Sequence, residues 1–414
     1  MKYGLIGEKL GHSFSPEIHK RIGDYPYELK EMTESEVGAF MTDRDFSAIN
    51  VTIPYKKTVI PYLNVISDEA KAIGAVNTVV NKNGILYGYN TDFYGLKNLI
   101  LRVTKSLHGK VLILGTGGTS LTARAVCKHL GAEEIITVSR SQKEGCITYE
   151  EMYKIHTDAD FIINCTPCGM YPKDFDAPVS LNAFNKLKGV IDVIYNPLRT
   201  PLIREAKRLG VAAEGGLYML AAQAVEAYGH FFETEIDTEI TDRVYSDIIS
   251  EKQNIVLIGM PSCGKTTIGK RLCELLGCVF YDTDEEIVKT SGMSIPEIFE
   301  KYGEAHFRDL ESKVVRSLSQ GVSGAVIATG GGAVLRESNA DLLRANGVLV
   351  FIDRKLELLM PTSDRPLTSD IPALTKKYND RYPIYSNVCD VHVCGNGSVN
   401  EVADEIIKHL KDIK

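Results

Sequence analysis

Nine residues, Gly259–Thr267 (Gly-Met-Pro-Ser-Cys-Gly-Lys-Thr-Thr), carry the spacing of a phosphate-binding loop: two glycines bracket four residues, and a Lys-Thr pair follows. An apolar run, Ile255–Ile258, precedes them, and helix-forming sequence, Ile268–Leu276, comes after. That is the strand–loop–helix context in which backbone N–H groups point at a polyphosphate and the helix N-terminus adds partial positive charge. Ser262, Cys263, Gly264 and Thr267 would belong to the cradle, Lys265 would reach the outer phosphates, and the Thr266 hydroxyl would hold Mg²⁺.

Further along, Tyr281-Asp282-Thr283-Asp284 follows the next expected strand, where open α/β sheets bind ligands. One of these two carboxylates could support Mg²⁺, through water, and the other a substrate hydroxyl; helix capping by Asp284 is the plainer alternative. Gly303-Glu304-x-x-Phe307-Arg308 places an arginine on a helix, and Thr329-Gly330-Gly331-Gly332 lets backbone approach a ligand closely. Arg365-Pro366-Leu367 lies in a polar stretch with the character of a lid, and Arg381, followed by Tyr385, adds another cation. Guanidinium groups clamp carboxylates in a bidentate way, so the set suits a small anionic acceptor, although a single arginine is often just solvated.

The N-terminal half carries different chemistry. Gly115-x-Gly117-Gly118-x-Ser120 follows an apolar strand, Lys110–Leu114, as an imperfect dinucleotide turn whose third glycine is serine. The following strand ends in Ser139-Arg140-Ser141, roughly 25 residues on, where a carboxylate would mark NAD. An arginine between hydroxyls suits a 2′-phosphate, hence NADP(H); a surface arginine ending a strand is the alternative. Three other clusters offer hydroxyls, amides and a Lys/Asp pair: Ser13-Phe14-Ser15-Pro16, Asn50-Val51-Thr52-Ile53-Pro54-Tyr55-Lys56 and Asn90-Thr91-Asp92. Together they suit a polyhydroxylated anion; singly each reads as turn chemistry.

The elements that must position these groups alternate along the chain as in an α/β protein. Tyr3–Gly7, Tyr27–Met32 and Ala48–Ile53 read as strands, 15–23 and 34–42 as helices, and 75–81 with 85–90 as a β-pair across Asn83-Gly84. Further strands are expected at 134–138, 161–164, 189–193, 279–281, 325–328 and 348–352, and helices at 121–130, 217–230, about 236–250 and 399–410. The 414 residues suggest two or three domains. The expected division is 1–92 with 217–250 for substrate, 93–216 for NADP, and 251–414 for the phosphate-loop domain. A net charge of −7 argues against nucleic acid or an anionic membrane as partner, and no apolar run approaches the length of a membrane span. With no secretory leader pattern at the start and nine irregularly spaced cysteines, reduced thiols in a cytoplasm are expected. Cys165-Thr166-Pro167-Cys168 is formally C-x-x-C but lacks the context of a redox motif.

Taken in order, Ser-x-Ser-Pro, Asn-Val-Thr-x-Pro-x-Lys, Gly74-Ala75-Val76-Asn77-Thr78 and Asn-Thr-Asp resemble the shikimate dehydrogenase family over roughly residues 1–250. The resemblance implies that Ser13 and Ser15 bind the substrate carboxylate, that Thr52, Asn77, Asp92, Tyr195 and Gln223 complete the substrate site, and that Lys56 and Asp92 are the catalytic pair. It implies an NADP clasp at Ser139-Arg140-Ser141, with Gly115, Gly117, Gly118, Thr166, Val193, Gly216 and Met219 as further cofactor contacts. The expected reaction is NADPH-dependent reduction of the C3 ketone of 3-dehydroshikimate, with Lys56 as proton donor or as electrostatic stabiliser. Residues 251–414 resemble shikimate kinase, a phosphate-loop fold of the nucleoside-monophosphate-kinase kind. That resemblance implies ATP and Mg²⁺, Thr266 and Asp282 at the metal, and Asp284, Arg308, Gly330, Gly331, Gly332 and Arg381 around shikimate. Lys265 and Asp284 would be catalytic, Arg365 the lid arginine, and Phe299 and Phe307 the walls of the acceptor site. The stretch before Arg365 is short, and Thr362-Ser363-Asp364 stands where relatives carry more basic residues.

The expectation is thus a bifunctional enzyme of aromatic amino-acid biosynthesis acting on small molecules, with a homodimer admitted. Its rivals are a quinate-type dehydrogenase joined to another small-acid kinase, and a non-catalytic sensor, against which the retention of Lys56, Asp92, Lys265 and Asp282 speaks.

Overall fold

Three β-sheets organise the chain, each beginning with a strand that reads as an apolar run in the sequence. A computed structural model describes residues 1–11, 13–172, 176–359 and 371–412. It divides into two compact units, Met1–Ser246 and Asp247–Lys414.

The first sheet is formed by β1 (Tyr3–Gly7), β2 (Glu28–Glu31), β3 (Ala48–Val51), β4 (Val65–Ile66), β5 (Thr78–Lys82) and β6 (Ile85–Tyr89), in the order β2-β1-β3-β5-β6-β4. It is mixed: β1 runs parallel to β2 and β3, whereas β3, β5 and β6 are antiparallel neighbours. The β5–β6 hairpin turns at Asn83 and Gly84, both at positive φ, as the Asn-Gly signal requires. The second sheet holds β7 (Lys110–Leu114), β8 (Glu134–Ser139), β9 (Ile147–Thr148), β10 (Phe161–Asn164), β11 (Gly189–Asp192) and β12 (Ala212–Glu214). Among the described residues its strand pairings are all parallel, and the order β12-β11-β10-β7-β8-β9 is the doubly wound dinucleotide order 3-2-1-4-5-6 read from the other edge. Val111, Leu112, Ile113 and Leu114 are fully buried, as expected for a central strand covered by helices on both faces. The turn after β7 and the loop after β10 therefore meet where the strand order reverses.

The third sheet, in the second unit, comprises β13 (Asn254–Ile258), β14 (Phe280–Asp282), β15 (Val326–Ala328), β16 (Gly347–Asp353) and β17 (Val391–Cys394). It is parallel, with order β14-β15-β13-β16-β17, so the strand feeding the phosphate loop lies at its centre. One apolar core surrounds it, including Val256, Leu257, Ile327, Leu349 and Phe351. Full burial of each such side chain contributes roughly 1.5–3 kcal/mol against unfolding.

The helix Thr91–Val103 begins at Asn90, whose side chain accepts from Phe93 N, and the helix Thr238–Lys252 continues past the end of the first unit. The expected boundaries at 92 and 250 thus both fall inside helices, and the second unit begins at Asp247 in mid-helix, where no glycine- or proline-rich linker marks the joint.

Candidate functional site

Eleven of the residues singled out in the first half converge on one cavity of about 470 Å³: Ser13, Ser15, Thr52, Lys56, Asn77, Asp92, Tyr195, Gln223, Val193, Gly216 and Met219. Lys56 Nζ donates to Asp92 Oδ2 at 2.5 Å, and both side chains are partly exposed to the cavity. Each is aimed by the backbone beneath it. Tyr55, buried, donates its hydroxyl to Met32 O at 2.5 Å, while Val76 N donates to Lys56 O at 2.8 Å. Asp92 sits in the first turn of its helix, and buried Asn77 fixes that turn: its Oδ1 accepts from Thr91 N at 2.7 Å and its Nδ2 donates to Thr91 Oγ1 at 3.1 Å. Gly95 on the same helix lets the helix Leu217–Phe232 approach closely. A Cβ at Gly95 would stand 2.6 Å from Met219 O and 3.0 Å from Gln223 Cβ, so a larger residue would push Met219 and Gln223 away. Ser13 Oγ accepts from Ser15 N at 3.2 Å, and the Phe14 ring packs 5.5 Å from that of Tyr195.

A buried network backs Asn50 of the cavity lining, and sequence reasoning missed its members Tyr27 and His19. Tyr27 donates to Asn50 Oδ1 at 2.7 Å, Asn50 donates to Thr78 Oγ1 at 3.0 Å, and His19 stacks on Tyr27 at 3.8 Å. Burial pushes the His19 imidazole down to about 3, so it is neutral near pH 7, and drives the Tyr27 phenol well above its usual range. Lys9 was also missed; it adds an exposed cation to the cavity lining.

Of the cofactor-side residues, Val193, Gly216 and Met219 line this cavity, whereas Gly115, Gly117, Gly118, Ser139, Arg140, Ser141 and Thr166 lie outside its lining. Gly115 has φ +105, and a Cβ there would stand 3.0 Å from Thr166 Cγ2, so this turn requires glycine. A Cβ at Gly117 or Gly118 would meet nothing within 4 Å, leaving open space at the start of the helix Gly118–His129, as a pyrophosphate needs. Ser120, where the turn pattern has its third glycine, is buried and donates to Gly117 O at 2.6 Å. Arg140 and Ser141 are exposed; Ser139 is buried and accepts from Ser141 N at 3.4 Å, so it braces the exposed pair from behind. Lys143 donates to Thr116 Oγ1 at 2.9 Å, a second cation beside the turn. A Cβ at Gly216 would collide with Val193 O. Thr166 donates to Asn164 Oδ1 at 2.7 Å, and Asn164 Nδ2 donates to Asp192 Oδ1 at 3.0 Å. Asp192, also unforeseen, accepts from Thr200 Oγ1 at 2.6 Å and Ile194 N at 3.1 Å. Burial raises its carboxyl to about 7 against those bonds. These residues fit a dinucleotide phosphate. The C-x-x-C pair does not fit redox work: all nine cysteines are free, and burial pushes the Cys165 thiol far up.

In the second unit the loop after β13 turns through Ser262 (φ +63) and Gly264 (φ +99) into the helix Lys265–Leu276. The Cys263 side chain is buried, while Thr267 lies exposed in the first turn. Lys265, 7% exposed, donates to Gly259 O and Met260 O at 2.9 Å each and so curls over the loop. Thr266 Oγ1 donates to Asp282 Oδ2 at 2.9 Å, which pairs the hydroxyl and carboxylate expected at Mg²⁺. Asp282 rather than Asp284 caps the following helix, accepting from Asp284 N at 3.0 Å, so Asp284 is not spent on the cap.

The glycine triplet ties this site together. A Cβ on Gly330 would stand 2.7 Å from Asp284 Oδ1 and 2.8 Å from Glu311 Oε1. One on Gly331 would stand 2.9 Å from Pro261 of the phosphate loop, and one on Gly332 would strike the Arg308 guanidinium. Gly330 N donates to Thr283 Oγ1 at 2.8 Å, and Gly331 O accepts from buried Arg381 at 3.1 Å and from Tyr385. Arg308 donates to Glu311 at 2.8 Å and Glu304 at 3.2 Å. Glu311 was not foreseen, although Arg308-x-x-Glu311 is an i,i+3 pair on a helix; burial raises its carboxyl despite Arg308. The helix carrying Arg308 breaks at Gly303 (φ +79), which starts the arginine-bearing segment. Phe307 is buried and packs on Phe299 at 4.8 Å. Arg365 and the stretch before it lie outside the described residues.

A doubly wound dinucleotide sheet sharing a cavity with a lysine–carboxylate pair, in a chain that also carries a phosphate-loop unit, defines an oxidoreductase joined to a phosphotransferase. Family models described as "Shikimate dehydrogenase substrate binding domain" and "Shikimate kinase" match residues 5–79 and 261–411. A Clostridium perfringens protein named shikimate dehydrogenase (NADP(+)) is 37% identical over 268 residues, 59% of this chain and 97% of its own length. A shikimate dehydrogenase structure from Peptoclostridium difficile is 37% identical, with TM-score 0.53, covering 60% of this chain and 98% of its own. A chorismate mutase/shikimate 5-dehydrogenase fusion from Clostridium acetobutylicum is 36% identical, with TM-score 0.56, covering 59% and 96%. The chain belongs to the shikimate dehydrogenase family and carries a shikimate kinase domain behind it.

Proposed function

We propose that the first unit reduces 3-dehydroshikimate to shikimate with NADPH and that the second phosphorylates the shikimate 3-hydroxyl with Mg-ATP. The observation that carries this reading is the shared cavity, in which Lys56 and Asp92 face the hydroxyl and amide groups of Ser13, Ser15, Asn77 and Gln223. The turn at Gly115–Gly118, with Arg140 and Ser141, would hold NADPH, which would supply the hydride. As negative charge grows on the substrate oxygen, Lys56 stabilises it by hydrogen bonding and is placed to give up a proton. Asp92 holds Lys56 in position and keeps a carboxylate beside the resulting ammonium or amine. Ser13 and Ser15 take the carboxylate, with Tyr195 closing over it.

In the second unit Thr266 and Asp282, 2.9 Å apart, would hold Mg²⁺, which would supply charge neutralisation at the phosphates. Lys265 swings from the loop carbonyls to the phosphates, and Asp284 orients the acceptor hydroxyl. Arg308 and Arg381, braced by the glycine triplet, clamp the acceptor carboxylate. The reading places the protein in the cytoplasm, as a monomer or homodimer. Among the described residues no helix is long and apolar enough to cross a membrane. The test is the full chain supplied with 3-dehydroshikimate, NADPH and Mg-ATP. Shikimate 3-phosphate should accumulate only when all three are present, and its absence would reject the reading.

A further inference from the structure

β16 ends at Asp353, and the next residue, Arg354, extends its side chain toward the phosphate loop. A Cβ built on Gly264 would stand 3.8 Å from Arg354 Nη1. On the other flank, a side chain begun at Gly395, in the loop after β17, would stand 3.4 Å from Arg354 Cβ. The backbone here is pinned: Gly395 N donates to Asp353 O at 2.7 Å, and Lys355 N donates to Asn396 Oδ1 at 3.0 Å. The adjacent carboxylate is engaged elsewhere, with Asp353 Oδ2 bonded to the Tyr382 hydroxyl and to His392 Nε2, each at 3.0 Å. Arg354 itself is half-buried. Its Nε is shielded from solvent without a hydrogen-bond partner, and among the described residues no carboxylate pairs with its guanidinium.

A guanidinium stays charged at any physiological pH, and shielding its donors without an acceptor costs stability. A buried donor left unpaired beside a loop built for polyphosphate calls for an anion that arrives with the ligand. The loop backbone around Gly264 cradles the α- and β-phosphates, whereas the loop lysine reaches outward to the β- and γ-phosphates. We propose that Arg354 is a nucleotide-binding residue of the kinase unit, contacting the α/β-phosphate segment common to ADP and ATP. Its planar fork suits two phosphate oxygens at once. The cation is thereby supplied by the sheet, independent of the stretch before Arg365.

This inference rests on the kinase reading, and the two fail differently. Titration calorimetry of the full chain with Mg-ADP and with Mg-ATP is the measurement. Wild-type protein that binds neither would reject the kinase reading itself. Given wild-type binding, Arg354→Met should weaken both nucleotides by a similar factor, on the order of ten- to a hundred-fold. Arg354→Lys should recover part of that loss, KM for shikimate should stay unchanged, and kcat at saturating Mg-ATP should remain within about two-fold of wild type. Mg-ADP binding by Arg354→Met within about two-fold of wild type would overturn the proposal, as would a loss confined to ATP, which would put the arginine on the γ-phosphate. If Arg354→Met does not fold, Arg354→Lys decides: undiminished ADP affinity overturns the proposal, and a several-fold loss supports it.

Discussion

Gly332→Ala probes whether the glycine triplet exists to seat Arg308. A Cβ at this position would stand 2.5 Å from Arg308 Cζ and Nη2 and closer still to Nη1. Non-bonded heavy atoms need about 3.5 Å, so the guanidinium must retreat by about 1 Å. It cannot do so freely, because Nη1 is bonded to buried Glu311 at 2.8 Å and Nη2 to Glu304 at 3.2 Å. The backbone at Gly332 has φ −107 and ψ −6, open to any residue, so alanine should add little strain of its own. What is lost is the alignment of a charged hydrogen bond to the acceptor carboxylate, worth about 1.5–3 kcal/mol, or roughly 10- to 150-fold in kcat/KM for shikimate. ADP release measured against shikimate at saturating Mg-ATP should show most of this as a higher KM. NADPH-linked reduction by the same preparation should be unchanged. A KM within about two-fold of wild type would refute the view that Gly332 sets the position of Arg308.

Two other expectations concern the first unit. The Asp192 carboxyl is raised to about 7 in the fold from an ordinary 3.8, so its stabilising contribution is full below about pH 4 and lost as pH rises through about 7. Across that window wild type should lose about 1.4 kcal/mol per pH unit relative to Asp192→Asn in urea denaturation, and a difference independent of pH would count against a neutral buried acid. Arg140→Gln should lower the preference for NADP over NAD by on the order of ten-fold, leaving KM for 3-dehydroshikimate unchanged; an unaltered preference would remove Arg140 from the 2′-phosphate site.

The sequence shows most clearly those features whose physics is local. Central strands such as Lys110–Leu114 and the run at Ile255–Ile258 are legible because burial on both faces demands unbroken apolar residues. The turns at Gly115 and Gly259–Thr267 are legible because positive φ and close approach restrict the residue type. The short edge strands β4, β9 and β12 have no such signature, and β17 alternates buried and exposed residues over only four positions. Functional partners that depend on long-range packing were also invisible. Glu311 and Asp192 are ordinary acids until the fold buries one beside Arg308 and the other under Asn164 and Thr200. His19 lies on an unremarkable helix until Tyr27 stacks on it, and Lys143 is a surface lysine until it reaches the Thr116 hydroxyl.

Independence of the two chemistries is the central claim, and paired lysine variants of the intact chain test it most directly. Lys56→Ala should abolish NADPH oxidation with 3-dehydroshikimate while leaving phosphorylation of added shikimate at the wild-type rate. Lys265→Ala should leave NADPH oxidation intact and abolish phosphorylation. Loss of both activities in either folded variant, or retention of NADPH oxidation by Lys56→Ala, would contradict the assignment of one lysine to each reaction.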